Sequence, residues 1–475
     1  MNLEVLSRDQ VKQIHSLSQR ILEEVGVLVH EHDFLRFLAD NGANVDLEKK
    51  RAKMPSDLVE ECIKKTPKRT ILHAANMKHD VELGDGKIYA HPVGGASNVI
   101  DLDSGEIRPS TLKDVENLTK VVDALPNIHT TTMIVYPSDV PERLRDIYAV
   151  EAILRNTGKN VDATPYDDES YKYIIQLVEA LVGEEGLKKK PIVTCSISPT
   201  SPLQFSSEVT KVLARAVKHH IPTAVLPCPL AGATSPVTLA GTLVQQNAEM
   251  LAGLTMLQLL NPGNPFIYSP RCIPLDMATG QASAGIESAL MSAACVQLAK
   301  YYGFPSDVYG LDTTSKTMDE QIAFEKALNG LLPAMAGADA LSGAGCIEGG
   351  IAVSYEQLVI DDEIFGMIFR AAKGIDVDEE KLAADVIMKV ARESSNFLQQ
   401  QHTLKHFRDE YYFPKLCDRS PRSRWQKMGA KNIVDIAREK AKKIIAEHEP
   451  PSLDADAKKK LKDVLETATK ALTVS

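Results

Sequence analysis

The sequence has 475 residues, 44% of them hydrophobic and 25% charged, and a net charge of −10. This balance is ordinary for a soluble protein, and no basic block follows the groove of a nucleic acid. Seven cysteines, an odd number without a Cys-x-x-Cys pair, indicate reduced thiols and a cytoplasmic protein. The length allows two or three domains, or one large barrel with additions.

Residues 1–110 predict a helical layer and a β-hairpin packed on a larger core. The chain begins with the amphipathic helix "MNLEVLSRDQVKQIHSLSQRILEEVGV", which lacks the apolar core of a signal peptide. A helix–turn–helix pair is expected in residues 22–46. Turns at Asp85-Gly86 and Ser104-Gly105 predict hairpins within residues 81–109.

From about Asn127 onward, apolar β-rich runs alternate with loops and helical segments, which predicts parallel strands joined by crossover helices. The predicted strands lie in residues 127–138, 160–167, 191–198, 221–230, 264–270, 306–315 and 338–345. The predicted helices lie in residues 143–154, 168–182, 204–218, 237–260, 280–302 and 319–336. Because the strand runs are apolar throughout, we expect them to be buried on both faces.

An eighth strand, either near residues 87–95 or after residue 350, would complete a TIM (β/α)8 barrel over residues 111–380. The alternative is a doubly wound open sheet, which is expected to carry a phosphate loop after its first strand, and the sequence has none. Residues 381–475 become polar and helical and predict a C-terminal helical extension.

The stretch Cys228–Pro270 carries no charge except Glu249. A membrane span needs about 20 uninterrupted apolar residues, and Gln245–Asn247 interrupt this stretch. The sequence therefore predicts no membrane partner but a buried helix, with Ser235 as its N-cap and the following proline at its first position.

Long blocks of the sequence carry a resemblance to a known family. They include "RPSTLKDVENLTKVVDALPNI" (108–128), "PSDVPERLRDIYAVEAILRNTGK" (137–159), "DMATGQASAGIESALMSAACVQLAKYYGFPS" (276–306) and "SKTMDEQIAFEKALNGLLPAMAGADALSGAG" (315–345). With "LCDRSPRSRW" (416–425), they make nearly the whole chain resemble the trimethylamine methyltransferase superfamily. The resemblance implies a TIM barrel, a homo-oligomer, and methyl transfer from a methylamine to the Co(I) corrinoid of a separate partner protein.

The sequence contains only standard residues, so it resembles the branch of this superfamily without pyrrolysine. The known members of that branch demethylate quaternary amines such as glycine betaine, proline betaine, carnitine and γ-butyrobetaine. A quaternary ammonium leaves as a neutral amine and Co(I) attacks directly, so the protein need only position the methyl group and exclude water. We therefore expect no catalytic acid, base or nucleophile and no protein-bound metal.

Binding a trimethylammonium group calls for aromatic faces, each contributing about 0.5–2 kcal/mol, and for a carboxylate. In a barrel these groups stand at the C-terminal ends of the strands. The aromatic candidates are Tyr136, Tyr166, Tyr268 and Tyr309, with Tyr89 and His91 approaching from the hairpin. The alternative is that these tyrosines reflect only the general preference of tyrosine for strands and for partly solvated positions.

Three charged candidates complete the predicted substrate site. Arg271 could clamp a betaine carboxylate through a bidentate fork, or it could pair with Asp276. Asp312 lies in a block where the resemblance places ligand-facing residues, or it could pair with Lys316. Glu348 follows a glycine-rich strand end where a large cofactor could approach, or it is a solvated loop carboxylate.

Two other functions stay open at this point. One is a zinc- or folate-dependent methyltransferase on the same barrel, for which His91, His129 and the pair His219-His220 are candidate metal ligands. The other is a protein that binds a betaine or a corrinoid without turnover.

Overall fold

The computed structural model describes residues 3–473 as a mixed α/β protein. Its N-terminal layer has helices at Arg8–Glu24, His32–Asp40 and Ser56–Lys65. The helix–turn–helix expected in residues 22–46 is wrong in one respect, because strand Val27–Val29 lies between the first two helices. This strand pairs antiparallel with Arg51–Lys53, which in turn pairs with Asn44–Asp46.

Eight parallel strands form the centre of the molecule. In chain order they are Tyr89–Pro92, Thr131–Thr132, Val161–Asp162, Val193–Ile197, Thr223–Val225, Phe266–Tyr268, Asp307–Tyr309 and Ala340–Ala344. Each from the second onward pairs with the next, with a single bridge between Tyr268 and Ser306. The eighth pairs with the first, and the first reaches the second through the parallel bridge Ala96–Val135.

This series of strands, called the strand ring below, returns to its start and so differs from an open doubly wound sheet. The eighth predicted strand lies at Tyr89–Pro92 and not after residue 350. The helices that connect successive strands are Leu112–Ala124, Arg145–Asn156, Asp168–Lys189, Ser207–Lys218, Leu239–Leu260, Ile286–Tyr302 and Glu320–Ala336, with Tyr355–Lys373 following the last strand. The predicted alternation of strand and helix is confirmed.

Helix Leu239–Leu260, whose only charged residue is Glu249, is partly covered by the N-terminal layer. The Ser18 hydroxyl donates to the Val244 carbonyl oxygen at 2.9 Å, and the Asn247 amide donates to the Ser18 oxygen at 3.0 Å. The predicted N-cap at Ser235 is wrong, because the helix begins after Thr238. Covered by the strand ring on one side and by this layer on another, the helix needs no polar face.

None of the helices within residues 3–473 is long and apolar enough to cross a membrane.

A hairpin closes the end of the ring where the strands begin. Strands Thr70–Leu72 and Val81–Leu83 pair antiparallel, and Leu72, Val81 and Leu83 pack against Ala224, Ile267 and Ala340 of the ring. This set is called the plug. The hairpin predicted at Asp85-Gly86 is wrong, because the segment after it enters the ring. The hairpin at Ser104-Gly105 is confirmed, since Asn98–Ile100 pairs with Ile107–Pro109.

The remaining C-terminal helices are Glu379–Leu382, Ala384–Glu393, Gln401–Glu410, Arg422–Lys427, Ile433–Glu447 and Ala455–Thr473. The last two are anchored by fully buried Ala437, Ala441, Leu461 and Ala468. The division into residues 1–110, 111–380 and 381–475 stays a prediction.

Candidate functional site

The ends of the strands opposite the plug carry solvent-exposed residues. Ser198 and Cys228, which follow the fourth and fifth strands, are exposed. Burial nevertheless raises the pKa of the Cys228 thiol, so this exposed group is surrounded by protein. An exposed group in desolvating surroundings lines a recess and not the outer surface. We call this recess, with the half-buried Tyr309 near Cys228 at its side, the mouth.

Asp307 is the centre of an ion-pair network inside the ring. Its carboxylate contacts Arg271 Nη2 at 2.6 Å and His91 Nε2 at 3.0 Å, and it accepts a hydrogen bond from Ser269 Oγ at 2.7 Å. Burial alone would raise the pKa of Asp307, but Arg271 and His91 lower it below its usual value. The alternative pair of Arg271 with Asp276 is wrong, since the Asp276 carboxylate accepts backbone N–H groups of its own exposed turn.

The Arg271 guanidinium donates hydrogen bonds to the protein from both of its terminal nitrogens. Its Nη1 donates to the carbonyl oxygens of Asp307 at 2.8 Å and Pro270 at 3.2 Å, and the residue is only 5% exposed. The guanidinium carbon lies 5.4 Å from the centre of the Tyr309 ring, within the range of a cation–π contact. The charge of Arg271 is therefore already neutralised within the protein.

Asp162 contributes a second carboxyl group to the same interior layer. Its Oδ2 accepts a hydrogen bond from Ser196 Oγ at 2.8 Å, whereas its Oδ1 is buried without a hydrogen-bond partner among the described residues. Burial raises the pKa of Asp162, and the charges of His91, Arg271 and Asp307 act on it. An unsatisfied buried carboxyl oxygen is costly and points to a functional position.

Asp312 lies just beyond the end of the seventh strand and has no ion-pair partner within 4 Å among the described residues. Its Oδ1 accepts hydrogen bonds from the Thr313 N–H at 2.9 Å and the Cys346 thiol at 3.1 Å. Burial raises the pKa of this carboxyl group. The alternative pair with Lys316 is wrong, because Lys316 Nζ donates instead to the Thr314 carbonyl oxygen.

Glu348 occupies a strained position near the end of the eighth strand. Its φ is 53°, a left-handed conformation that is uncommon outside glycine, and its N–H donates to the Ser315 carbonyl oxygen at 2.8 Å. The residue is half-buried, and its carboxylate has no hydrogen bond or ion pair with any residue in 3–473.

Tyr136 and Tyr309 are the predicted tyrosines that face the mouth. Tyr136 packs against Gly95, where an added Cβ would lie 3.1 Å from the ring, and burial raises the pKa of Tyr136 to about 12, with Asp146 and Asp162 adding to the effect. Burial raises the pKa of Tyr309; the charge of Asp312 adds to this rise, and the charge of Arg271 opposes it. These two rings therefore lie among the charged groups described above.

The other predicted aromatic residues lie elsewhere. Tyr268 is fully buried, and its hydroxyl contacts Gln246 and Asn247 on helix Leu239–Leu260, outside the ring. Tyr89 donates to Asp85 at the plug end. Tyr166 is 81% exposed. His91 does join the network, but from the first strand of the ring and not from a hairpin.

Sequence reasoning missed Asp162 and Asp307. Both stand inside the strand runs "NVDATPYD" and "SDVYGLD", from which only Tyr166, Tyr309 and Asp312 are predicted as site residues. A carboxylate in a strand buried on both faces must be paired or functional, and that signal was available.

No three His, Cys, Asp or Glu side chains within residues 3–473 come together so that they could hold a metal ion. His129 accepts a hydrogen bond from the Ala90 N–H at its Nδ1, and burial lowers the pKa of this ring to about 4. It has a structural role beside the first strand.

Comparison with known proteins agrees with this architecture. The profile of the family described as Trimethylamine methyltransferase (MTTB) matches residues 1–473. The chain is 34% identical to Trimethylamine methyltransferase MttB of Desulfitobacterium hafniense, over 97% of this chain and 93% of that protein. It is also 34% identical to Glycine betaine methyltransferase of Desulfitobacterium hafniense strain Y51, over 96% and 95%.

The crystal structure of the monomethylamine methyltransferase MtmB of Methanosarcina barkeri is similar in fold, with a TM-score of 0.56. At 13% identity it covers 92% of this chain and 88% of its own. The chain therefore belongs to the trimethylamine methyltransferase family, in its branch without pyrrolysine, and is a corrinoid-dependent methyltransferase.

Proposed function

We propose that this enzyme transfers a methyl group from a quaternary amine, the class to which the betaines belong, to the Co(I) corrinoid of a partner protein. We further infer that the strand ring is a TIM (β/α)8 barrel and that the enzyme works as a homo-oligomer. The observation that carries the proposal is the buried Asp312 carboxyl group just beyond the seventh strand, which has no ion-pair partner within 4 Å among the described residues and acts electrostatically on the neighbouring Tyr309.

The reaction needs no proton. The C–N bond breaks with its electron pair remaining on nitrogen, which leaves as a neutral tertiary amine, and the cobalt electron pair forms the new bond to the methyl group. The residues of this chain then have three tasks. Asp312 and Glu348 hold the positive nitrogen, Tyr136 and Tyr309 contact its methyl groups, and the walls of the recess limit the access of water to the reacting carbon.

The rim of the mouth offers room for a large, flat second substrate. Gly94 follows the first strand and Gly349 follows the eighth, and both are exposed. A Cβ built at Gly349 would meet no atom within 4 Å. The absence of side chains at these two neighbouring strand ends supports approach of the corrinoid from this side.

The test is methylation of free cob(I)alamin by purified enzyme with a panel of amines, read from the absorption spectrum of methylcobalamin. The panel contains glycine betaine, proline betaine, carnitine, γ-butyrobetaine, choline, tetramethylammonium and trimethylamine. At least one quaternary amine is expected to give methylcobalamin. Failure of the entire panel, or stoichiometric zinc in the purified protein, would overturn the proposal.

Asp312→Asn is the matching variant, because it removes the charge and keeps the shape of the side chain. Its kcat/KM for a quaternary amine is expected to fall by about tenfold or more. Asp276→Asn, in an exposed turn of the loop after the sixth strand, is the control and is expected to keep wild-type activity.

A further inference from the structure

We propose that the preferred substrate is an ammonium cation whose remaining substituent carries no carboxylate, such as tetramethylammonium or choline, and not a betaine. This inference rests on the proposed function and concerns selection among quaternary amines by the same mouth. It follows from how Arg271, the predicted carboxylate clamp, is bound in the structure.

A betaine carboxylate needs a cation that is free to receive it. The Arg271 guanidinium is 2.6 Å from Asp307 and also donates to two carbonyl oxygens, and its side chain is 6% exposed. Recruiting Arg271 to a substrate would require breaking this buried ion pair and leaving the Asp307 carboxylate without its strongest partner. Arg271 therefore stabilises the interior of the ring and is not available as a clamp.

The interior layer also offers no excess of positive charge. His91 and Arg271 face two carboxyl groups, Asp307 and Asp162. One oxygen of Asp162 is buried without a hydrogen-bond partner among the described residues, and it accepts nothing from a cationic side chain. The carboxylate of a betaine would add a third carboxyl group to a layer in which two carboxyl groups already face two basic side chains.

The loops after the eight strands increase this preference. They span residues 93–111, 133–144, 163–167, 198–206, 226–238, 269–285, 310–319 and 345–354. These loops contain ten acidic and four basic residues. Of the basic ones, Arg108 is paired with Asp101 and Asp114, and Lys316 is exposed and donates to a carbonyl oxygen. The net negative charge of these loops therefore favours a simple cation over a carboxylate.

The decisive measurement is kcat/KM with free cob(I)alamin for matched pairs: choline against glycine betaine, and tetramethylammonium against γ-butyrobetaine. Carboxylate-free cations are expected to be better by about tenfold or more, since a like charge at a desolvated site costs at least that factor. A preference for betaines would overturn this inference and leave the proposed function intact. No turnover of any amine would overturn the proposed function instead.

Equilibrium binding gives a second readout that needs no corrinoid. Isothermal titration calorimetry with choline and glycine betaine is expected to show the tighter binding for choline. Equal or tighter binding of glycine betaine would contradict the inference even if turnover were slow.

Asp307→Asn tests the ion pair directly, because it releases the charge of Arg271. The ratio of betaine to choline turnover is expected to rise by about tenfold or more, and the double variant Asp307→Asn/Arg271→Met is expected to return it to the wild-type value. If Asp307→Asn does not fold, the same ratio is measured for Arg271→Met alone. It is expected to keep the preference for choline, whereas a clamp role for Arg271 would show as a selective loss of betaine turnover.

Discussion

The two ends of the same eight strands have opposite character. At the plug, Ile267 and Ala340 pack against the apolar hairpin, and on the same strand faces, two residues later, Ser269 and Ser342 are polar. Tyr89 and His91 make the same change along the first strand. Side chains on one face of a strand recur every two residues. The apolar residues that pack on the plug and the polar residues beyond them therefore occupy neighbouring positions on the same face.

This contrast shows how the fold divides its tasks. The plug buries apolar groups and has no ion pair among its described members. Further along the strands, Asp162 in the interior layer and Asp312 beyond the seventh strand are carboxyl groups whose pKa values burial raises, which lowers stability at neutral pH. Changes at the plug should therefore alter folding, and changes at the mouth should alter substrate binding.

The largest effect is expected for Leu83→Ala at the plug. Leu83 is 1% exposed, and removing it leaves a cavity that lowers the free energy of unfolding by about 2–5 kcal/mol. Urea denaturation measures the change, and Leu328→Ala, at an exposed leucine, is the control. Substrate preference of the folded variant should stay unchanged. A changed preference would contradict the separation of the two ends.

Asp146→Asn tests whether burial of a carboxyl group near the mouth makes the free energy of unfolding depend on pH. Burial raises the pKa of Asp146 to about 6. The folded state then binds this proton more tightly than the unfolded chain, so the contribution favours folding below about pH 4 and is lost as the pH rises to about 6. Wild type should lose about 3 kcal/mol relative to the variant over this range.

Unfolding free energies at several pH values between 4 and 7 measure this difference, with the exposed Asp385→Asn as the control. Parallel pH profiles for wild type and Asp146→Asn would show that the carboxyl group is not desolvated as described.

Tyr309→Leu should affect function more than folding. Loss of its ring removes about 0.5–2 kcal/mol of contact with the cation, which corresponds to a fall in kcat/KM of about 2- to 30-fold. Tyr268→Phe is the matched control, since Tyr268 faces helix Leu239–Leu260. It should cost about 1 kcal/mol of stability and leave kcat/KM unchanged. If Tyr268→Phe lowered kcat/KM and Tyr309→Leu did not, the substrate would bind near Tyr268 and not in the mouth.

The smallest effect is expected at Cys228, the exposed thiol of the mouth. Alkylation by iodoacetamide, followed by peptide mass spectrometry, should slow when a quaternary amine occupies the site. Cys417, half-buried near the C-terminal helices, should react at an unchanged rate. Equal alkylation rates at Cys228 with and without the amine would show that the amine does not bind in the mouth.

Much of the fold could be predicted from the sequence, because loop residues and apolar runs mark each strand and helix. Hairpin pairing at Asp85-Gly86 could not, since a turn signal does not say whether the strands beside it find other partners. Helix Leu239–Leu260 was correctly expected to be buried, but its start depended on backbone conformation near Ser235.

The site was only partly predictable for a different reason. Strands buried on both faces show no alternation, so the sequence does not say whether a tyrosine points into the ring or toward a helix. Tyr309 points inward and Tyr268 outward, although both stand at strand ends. The partner of Arg271 was also hidden, because Asp307 is distant in sequence and adjacent only in space.

The cover over helix Leu239–Leu260 has a practical consequence for anyone trimming the protein. A version that omits the first 65 residues would expose to water one face of helix Leu239–Leu260, which has 22 residues and one charge. Such a surface invites self-association, so the leading segment should be kept in any shortened version meant for crystallisation or reconstitution.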